Sequence, residues 1–90
     1  MVEYQYEKTV VECAEDDGWY VKKITFQGVR GGPDRVFIKG GRTVWIEFKD
    51  WGKDADPLQA KVHREMRAAG AEVYVCDRPS KALKILGLTN

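Results

Sequence analysis

The chain has 90 residues, 43% hydrophobic and 32% charged, with 15 basic against 14 acidic side chains. That composition describes one compact soluble domain, and a chain this short buries roughly 60 to 65% of its unfolded surface, so a deep site is expected to borrow walls from a partner and dimerisation is anticipated. No apolar run approaches the ~20 residues that span a bilayer, and Met1-Val2-Glu3-Tyr4 lacks the basic-then-apolar start of a secretion signal, so a cytoplasmic setting is expected.

Tyr6, Val10, Val11, Cys13 and Ala14 recur at helical spacing before Gly18, which predicts an amphipathic helix over residues 4 to 16. Glu7 shares its core-facing stripe, and because an unpaired buried carboxylate is costly it should meet a cation, a donor or a metal; Glu3, one turn earlier, is the fallback. Trp19 to Phe26 reads as a strand, followed by a glycine-rich loop from Gln27 to Pro33. Two β-prone runs, Asp34 to Lys39 and Arg42 to Lys49, flank Gly40-Gly41, a strong hairpin signal. After a polar loop over 50 to 55, Asp56-Pro57-Leu58-Gln59 supplies an N-cap, a proline at the first helical position and a glutamine at the third. That helix should run to about Ala69, with Leu58, Val62, Met66 and Ala69 as its apolar stripe and Gly70 as terminator. Ala71 to Cys76 reads as a strand and Lys81 to Leu86 as a closing helix, so the order is αβββαβα, an α/β (α+β) domain with a mixed sheet flanked by helices.

If the two glycines close the hairpin, cross-strand partners are Lys39 with Arg42, Phe37 with Val44, and Asp34 with Glu47. Two carboxylates then stand opposite one another with Cβ atoms ~4.5 to 5.5 Å apart, a repulsion that something must offset. Alternation puts Lys49 on the face of Glu47 and turns Phe48 to the other side. Glu7 can join if the first helix packs across that face. Carboxylates gathered beside an ammonium resemble a divalent metal site, with Mg²⁺ favouring oxygen ligands and substrate phosphates.

Charge is segregated: residues 1 to 21 carry six acids and one base, 22 to 53 eight bases and three acids, and 54 to 90 six bases and five acids. A basic middle third can meet a polyanion while the whole chain is nearly neutral, and Arg30, Arg35, Lys39 and Lys53 are the expected phosphate contacts. Cys13 and Cys76, far apart and among apolar neighbours, are expected as buried free thiols, and a single histidine, His63, excludes zinc sites built on several.

Gly31-Gly32-Pro33-Asp34, with Glu47-Phe48-Lys49 beginning thirteen positions after Asp34, resembles the PD-(D/E)xK nuclease signature. With Glu7 in the first helix, Trp45-Ile46-Glu47-Phe48-Lys49, Gln59 after a short loop, and Gly70-Ala71-Glu72-Val73-Tyr74-Val75, the chain resembles the VRR-NUC group from about residue 3 to 87. The resemblance implies a restriction-endonuclease-like core forming one nuclease domain over 1 to 90. It implies that Asp34 and Glu47 ligate Mg²⁺ or Mn²⁺ with the Phe48 backbone carbonyl, that Glu7 completes the metal shell, that Lys49 is the catalytic lysine, and that Gln59 positions the site. A helix-capping role accounts for Gln59 equally well, and His63, one turn on, is expected at the surface or as a structural residue.

Fused VRR-NUC domains occur in large DNA-repair nucleases such as the Fanconi-associated nuclease, whereas stand-alone versions are typical of phages and bacteria and resemble Holliday junction resolvases. The expectation is therefore a metal-dependent endonuclease acting on branched DNA such as a four-way junction, in the host cytoplasm if phage-encoded, with no small-molecule cofactor and no membrane. Two symmetric cuts call for a C2 homodimer. Trp51 is a candidate dimer, core or DNA-stacking residue. The alternatives are a non-catalytic branched-DNA or protein-binding module, and a nicking or restriction-like nuclease without junction preference.

Overall fold

The computed structural model describes residues 2–89. Its elements are α1 (Glu3–Asp16), β1 (Tyr20–Lys23), β2 (Arg35–Lys39), β3 (Arg42–Phe48), α2 (Pro57–Ala68), β4 (Glu72–Cys76) and α3 (Pro79–Ile85), the expected αβββαβα order. One four-stranded sheet runs β1-β2-β3-β4, with β1, β2 and β3 antiparallel and β4 parallel to β3 across the α2 crossover. Among the described residues no helix is long and apolar enough to cross a membrane.

The hairpin turns on Gly40 and Gly41, with φ of 56° and 81°. Positive φ at both central positions is what a two-residue type I′ turn demands, and its twist matches that of the strands. The register follows: Lys39 faces Arg42 and Phe37 faces Val44.

Alternation sorts the sheet into two faces. Val21, Phe37, Val44, Ile46, Phe48 and Cys76 join Tyr6, Val10 and Ala14 of α1 and Ala82 and Leu86 beyond it in one buried cluster. The opposite face carries Val36, Trp45, Glu47 and Val73 beneath α2, which buries Val62 and His63.

The structure corrects several expectations. The first strand ends at Lys23, not Phe26: the chain leaves the sheet and sets Phe26 edge-on against Trp45, ring centroids 5.7 Å apart. The closing helix begins at Pro79, two residues before the expected start, because proline serves as its first helical residue. Leu58 is 45% exposed and Ala69 is exposed too, so the inward side of α2 is centred on Val62 and His63 and the expected stripe is offset. Cys76 is buried, but Cys13 is exposed, since α1 buries the strict four-residue row Tyr6, Val10, Ala14 and leaves Cys13 on its flank.

Candidate functional site

The loop before β2 is held by close packing. Gly31 has φ +92°, and a Cβ there would lie 3.0 Å from the Gln59 backbone. A Cβ on Gly32 would come within 2.4 Å of the Phe26 ring. Wedged between Phe26 and the first turn of α2, the loop delivers buried Pro33 and then Asp34 to the start of β2. The Asp34 carbonyl accepts from the Ile24 amide at 2.8 Å, and its Oδ2 accepts from the Phe48 amide at 3.3 Å. The β2–β3 ladder ends with Arg35 paired to Ile46, so one step further along the same register brings Asp34 to Glu47, and Asp34 is the strongest charge acting on the Glu47 carboxyl.

Glu47 points to the α2 side and is 4% exposed, while Phe48 turns into the core, edge-on to Tyr6 at 5.9 Å and Phe37 at 6.4 Å. The Lys49 amide donates to the Cys76 carbonyl at 2.8 Å. The Tyr6 hydroxyl lies within reach of the Lys49 carbonyl and, at 2.8 Å, of the Cys76 carbonyl. It thereby ties α1 to the backbone that carries the site.

Helix α1 packs on the face opposite Glu47, not across the Glu47 face as one expectation required. Glu7 nevertheless reaches Asp34, because Asp34 precedes the strand at the open end of the sheet. Carboxylate oxygens of Glu3, Glu7 and Asp34 all lie within 4.8 Å of one another, so both α1 acids are brought to it. Arg35, one residue on and so on the α1 face, donates from Nε to Glu7 Oε2 at 2.6 Å. The buried Glu7 carboxylate has thus found its cation within the chain. Burial, with Asp34 and Glu7 adding to it, raises the pKa of Glu3.

Burial, and next the Asp34 charge, pushes the Glu47 carboxyl up to about 8, against a smaller opposing pull from Lys49. Its Oε1 is buried and has no hydrogen-bond partner among the described residues. Beside it lies His63, 1% exposed, with Nε2 at 3.9 Å from that oxygen. This is proximity, too long for a hydrogen bond. Burial, then Arg67 and Lys49, lowers the His63 pKa and favours the neutral ring. Among the described residues neither ring nitrogen has a partner. Sequence reasoning missed His63 as a site neighbour; the available signal was its place one helical turn after Gln59.

Gln59 is engaged in the capping box, its Oε1 accepting from the Asp56 amide at 3.0 Å and its own amide donating to Asp56 Oδ1 at 2.9 Å. Arg30 and Lys53 are exposed. Lys39 donates to the carbonyl and carboxylate of Asp17 at the hairpin tip, roughly 16 Å along β2 from Asp34 at ~3.3 Å per residue. Arg35 and Lys39 therefore spend their charge on α1 and its C-terminal end instead of standing free for phosphate.

The carboxylates of Glu3, Glu7 and Asp34 converge, Glu47 feels the Asp34 charge from outside that group, its Oε1 has no hydrogen-bond partner among the described residues, and every one of these side-chain donors is a hard oxygen. Such a set suits Mg²⁺ or Mn²⁺, which would favour the ionised form of Glu47 against the burial, and next the Asp34 charge, that raise its pKa.

No family profile matches the sequence, and no curated protein matches it. A solved structure described as a VRR_NUC domain is similar to it with a TM-score of 0.86 and 28% sequence identity, over 98% of this chain and 97% of that one. The resemblance seen in the motifs thus extends to the whole backbone, and the chain has the VRR-NUC nuclease fold.

Proposed function

We propose that this chain is a Mg²⁺- or Mn²⁺-dependent endodeoxyribonuclease that hydrolyses phosphodiester bonds in branched DNA, with residues 1 to 90 forming one nuclease domain. The observation that carries it is the opposed pair Asp34 and Glu47 at one end of the hairpin, with Lys49 following and the α1 acids gathered at Asp34. Asp34, Glu47 and the Phe48 carbonyl would hold the cation, with Glu7, or Glu3 in its place, completing the set. When bound, the cation supplies charge neutralisation and polarisation of the phosphoryl group.

The chain's own groups do the rest. Lys49 places an ammonium where negative charge accumulates as water adds to phosphorus. One P–O ester bond then breaks, and the proton lost by the water ends on the departing oxygen. His63 is a positioning residue: its ring closes the inner side of the Glu47 carboxylate and keeps it turned toward Asp34. A four-way junction needs two related cuts, which a C2 homodimer supplies, and a cytoplasmic setting, that of the host for a phage-borne copy, goes with a DNA substrate.

The test is to incubate the protein and its Asp34→Ala variant with four-way junction, flap and linear duplex in Mg²⁺ or Mn²⁺. Cleavage by the wild type, lost at least a hundredfold in the variant, is expected. No cleavage, or equal cleavage by the variant, overturns the assignment, and junction binding in EDTA without cleavage would indicate a binding module. Equal cutting of junction and duplex in competition would remove the junction preference and leave the chemistry.

A further inference from the structure

The end of the sheet that carries the carboxylates also opens a basic groove. Two adjoining cavities, of 610 and 410 Å³, share Asp54, Val75 and Lys81 and run between α2 and α3 across the edge strand β4. Their walls carry six cations, Lys53, Arg64, Arg67, Arg78, Lys81 and Lys84, against two anions, Asp54 and Asp77. The groove holds a net +4 on a chain whose total is +1, so the rest of the molecule is net negative.

Both helices aim their charges into it by spacing. Arg64 and Arg67 are one turn apart on α2, as are Lys81 and Lys84 on α3, and side chains three apart share a helix face. Asp77 is already neutralised by Arg78, Nε to Oδ1 at 2.9 Å, while its Oδ2 accepts from the Gly52 amide at 3.0 Å. This ties the loop after β3 to the loop after β4 and fixes the groove mouth. The Arg78 guanidinium also lies 4.1 Å above the ring of Trp51, which is 56% exposed at the rim. Lys53, Arg64, Lys81 and Lys84 are exposed and form no ion pair among the described residues.

The groove adjoins the carboxylate site through Val75 and His63. Val75, which lines both cavities, pairs with Glu47 in the β3–β4 ladder, one strand spacing of ~4.8 Å away. His63 lines the groove on one side and meets Glu47 on the other. Both features open at the carboxyl ends of the two parallel strands, where ligands of such sheets bind.

We propose that this groove between α2 and α3 binds the phosphate backbone of the DNA strand leading away from the scissile phosphate, through Lys53, Arg64, Lys81 and Lys84. The inference deepens the nuclease assignment and rests on it for the identity of the ligand. The polyanion is held by the C-terminal third of the chain and the loop after β3, not by the basic middle third as a whole.

Binding of a fluorescent four-way junction and a linear duplex of equal length tests it, measured from 50 to 200 mM salt in the non-cleaving Asp34→Ala background. Lys81→Gln with Lys84→Gln should weaken binding about tenfold at the low-salt end and reduce the slope of log affinity against log salt by roughly one to two units. Lys22→Gln with Lys23→Gln, on the far edge strand β1, should change neither, and thermal melts confirm that both double variants fold. No binding by the parent, an unchanged slope in the groove variant, or an equal loss in the β1 variant overturns the proposal. Cleavage by the wild type with unaltered binding by the groove variant leaves the nuclease standing and removes the groove. Binding that depends on the groove in a protein that cuts nothing does the reverse.

Discussion

The Glu47 carboxyl makes stability depend on pH in a direction that can be worked out. Its ordinary pKa of 4.5 is raised to about 8 in the fold by burial and by Asp34. Between those values the folded protein holds a proton that the unfolded chain has released, so stability is greatest below 4.5 and falls as pH rises through about 8. The limiting slope is ~1.4 kcal/mol per pH unit. His63 acts in the opposite sense, since its lowered pKa adds stability as pH climbs toward the ordinary 6.5. From pH 6.5 to 8 Glu47 therefore acts without that opposition, for ~2 kcal/mol at full value. The Lys49 charge tempers the shift, and about half, ~1 kcal/mol, is the expected loss. For a chain of this size that lowers Tm by about 4 to 8 °C.

The assay is a thermal melt in EDTA at half-unit steps across that window, for the wild type and Glu47→Gln. The wild type should lose Tm as pH rises and the variant should not. Millimolar Mn²⁺ should reverse the wild-type trend, because it favours the ionised carboxylate. A wild-type Tm that rises across the window, or an identical slope in Glu47→Gln, would refute the reasoning.

Tyr6→Phe removes the hydroxyl that serves the Lys49 and Cys76 carbonyls and should cost about 1 to 2 kcal/mol in denaturant unfolding. Gly31→Ala forces a Cβ to 3.0 Å from the Gln59 backbone at a positive φ, so a loss of about 1 to 3 kcal/mol should accompany slower cleavage as Asp34 shifts. His63→Leu replaces two unpartnered nitrogens with hydrocarbon and should cost little stability, yet calorimetry should show Mn²⁺ affinity falling about tenfold, with His63→Gln less affected. Unchanged affinity in His63→Leu would remove its positioning role.

What could be read from the sequence is what depends on short spacings. Gly40-Gly41 and period-two alternation suffice to set Asp34 opposite Glu47, since a type I′ turn determines its own register. Asp56 and Gln59 specify a capping box because both partners lie within one helical turn. The motif spacing rests on the same local geometry, which is why the VRR-NUC resemblance could be seen in the residues.

What escaped the sequence is what depends on which helix covers which face. Arg35 and Glu7 are 28 residues apart, and their pairing follows from α1 docking on the Arg35 side of the sheet. His63 meets Glu47 because α2 lies on the other side. Basic residues outnumber acids most in the middle third of the sequence, yet part of that charge is paired: Arg35 with Glu7, Lys39 with Asp17 and Arg42 with Glu72. The net +4 groove collects cations from Lys53 to Lys84 through the packing of two helices and two loops. Alternation and capping act over a few residues and are written in the sequence; the cancellation of charge acts through space, so only the tertiary structure decided where the protein is positive.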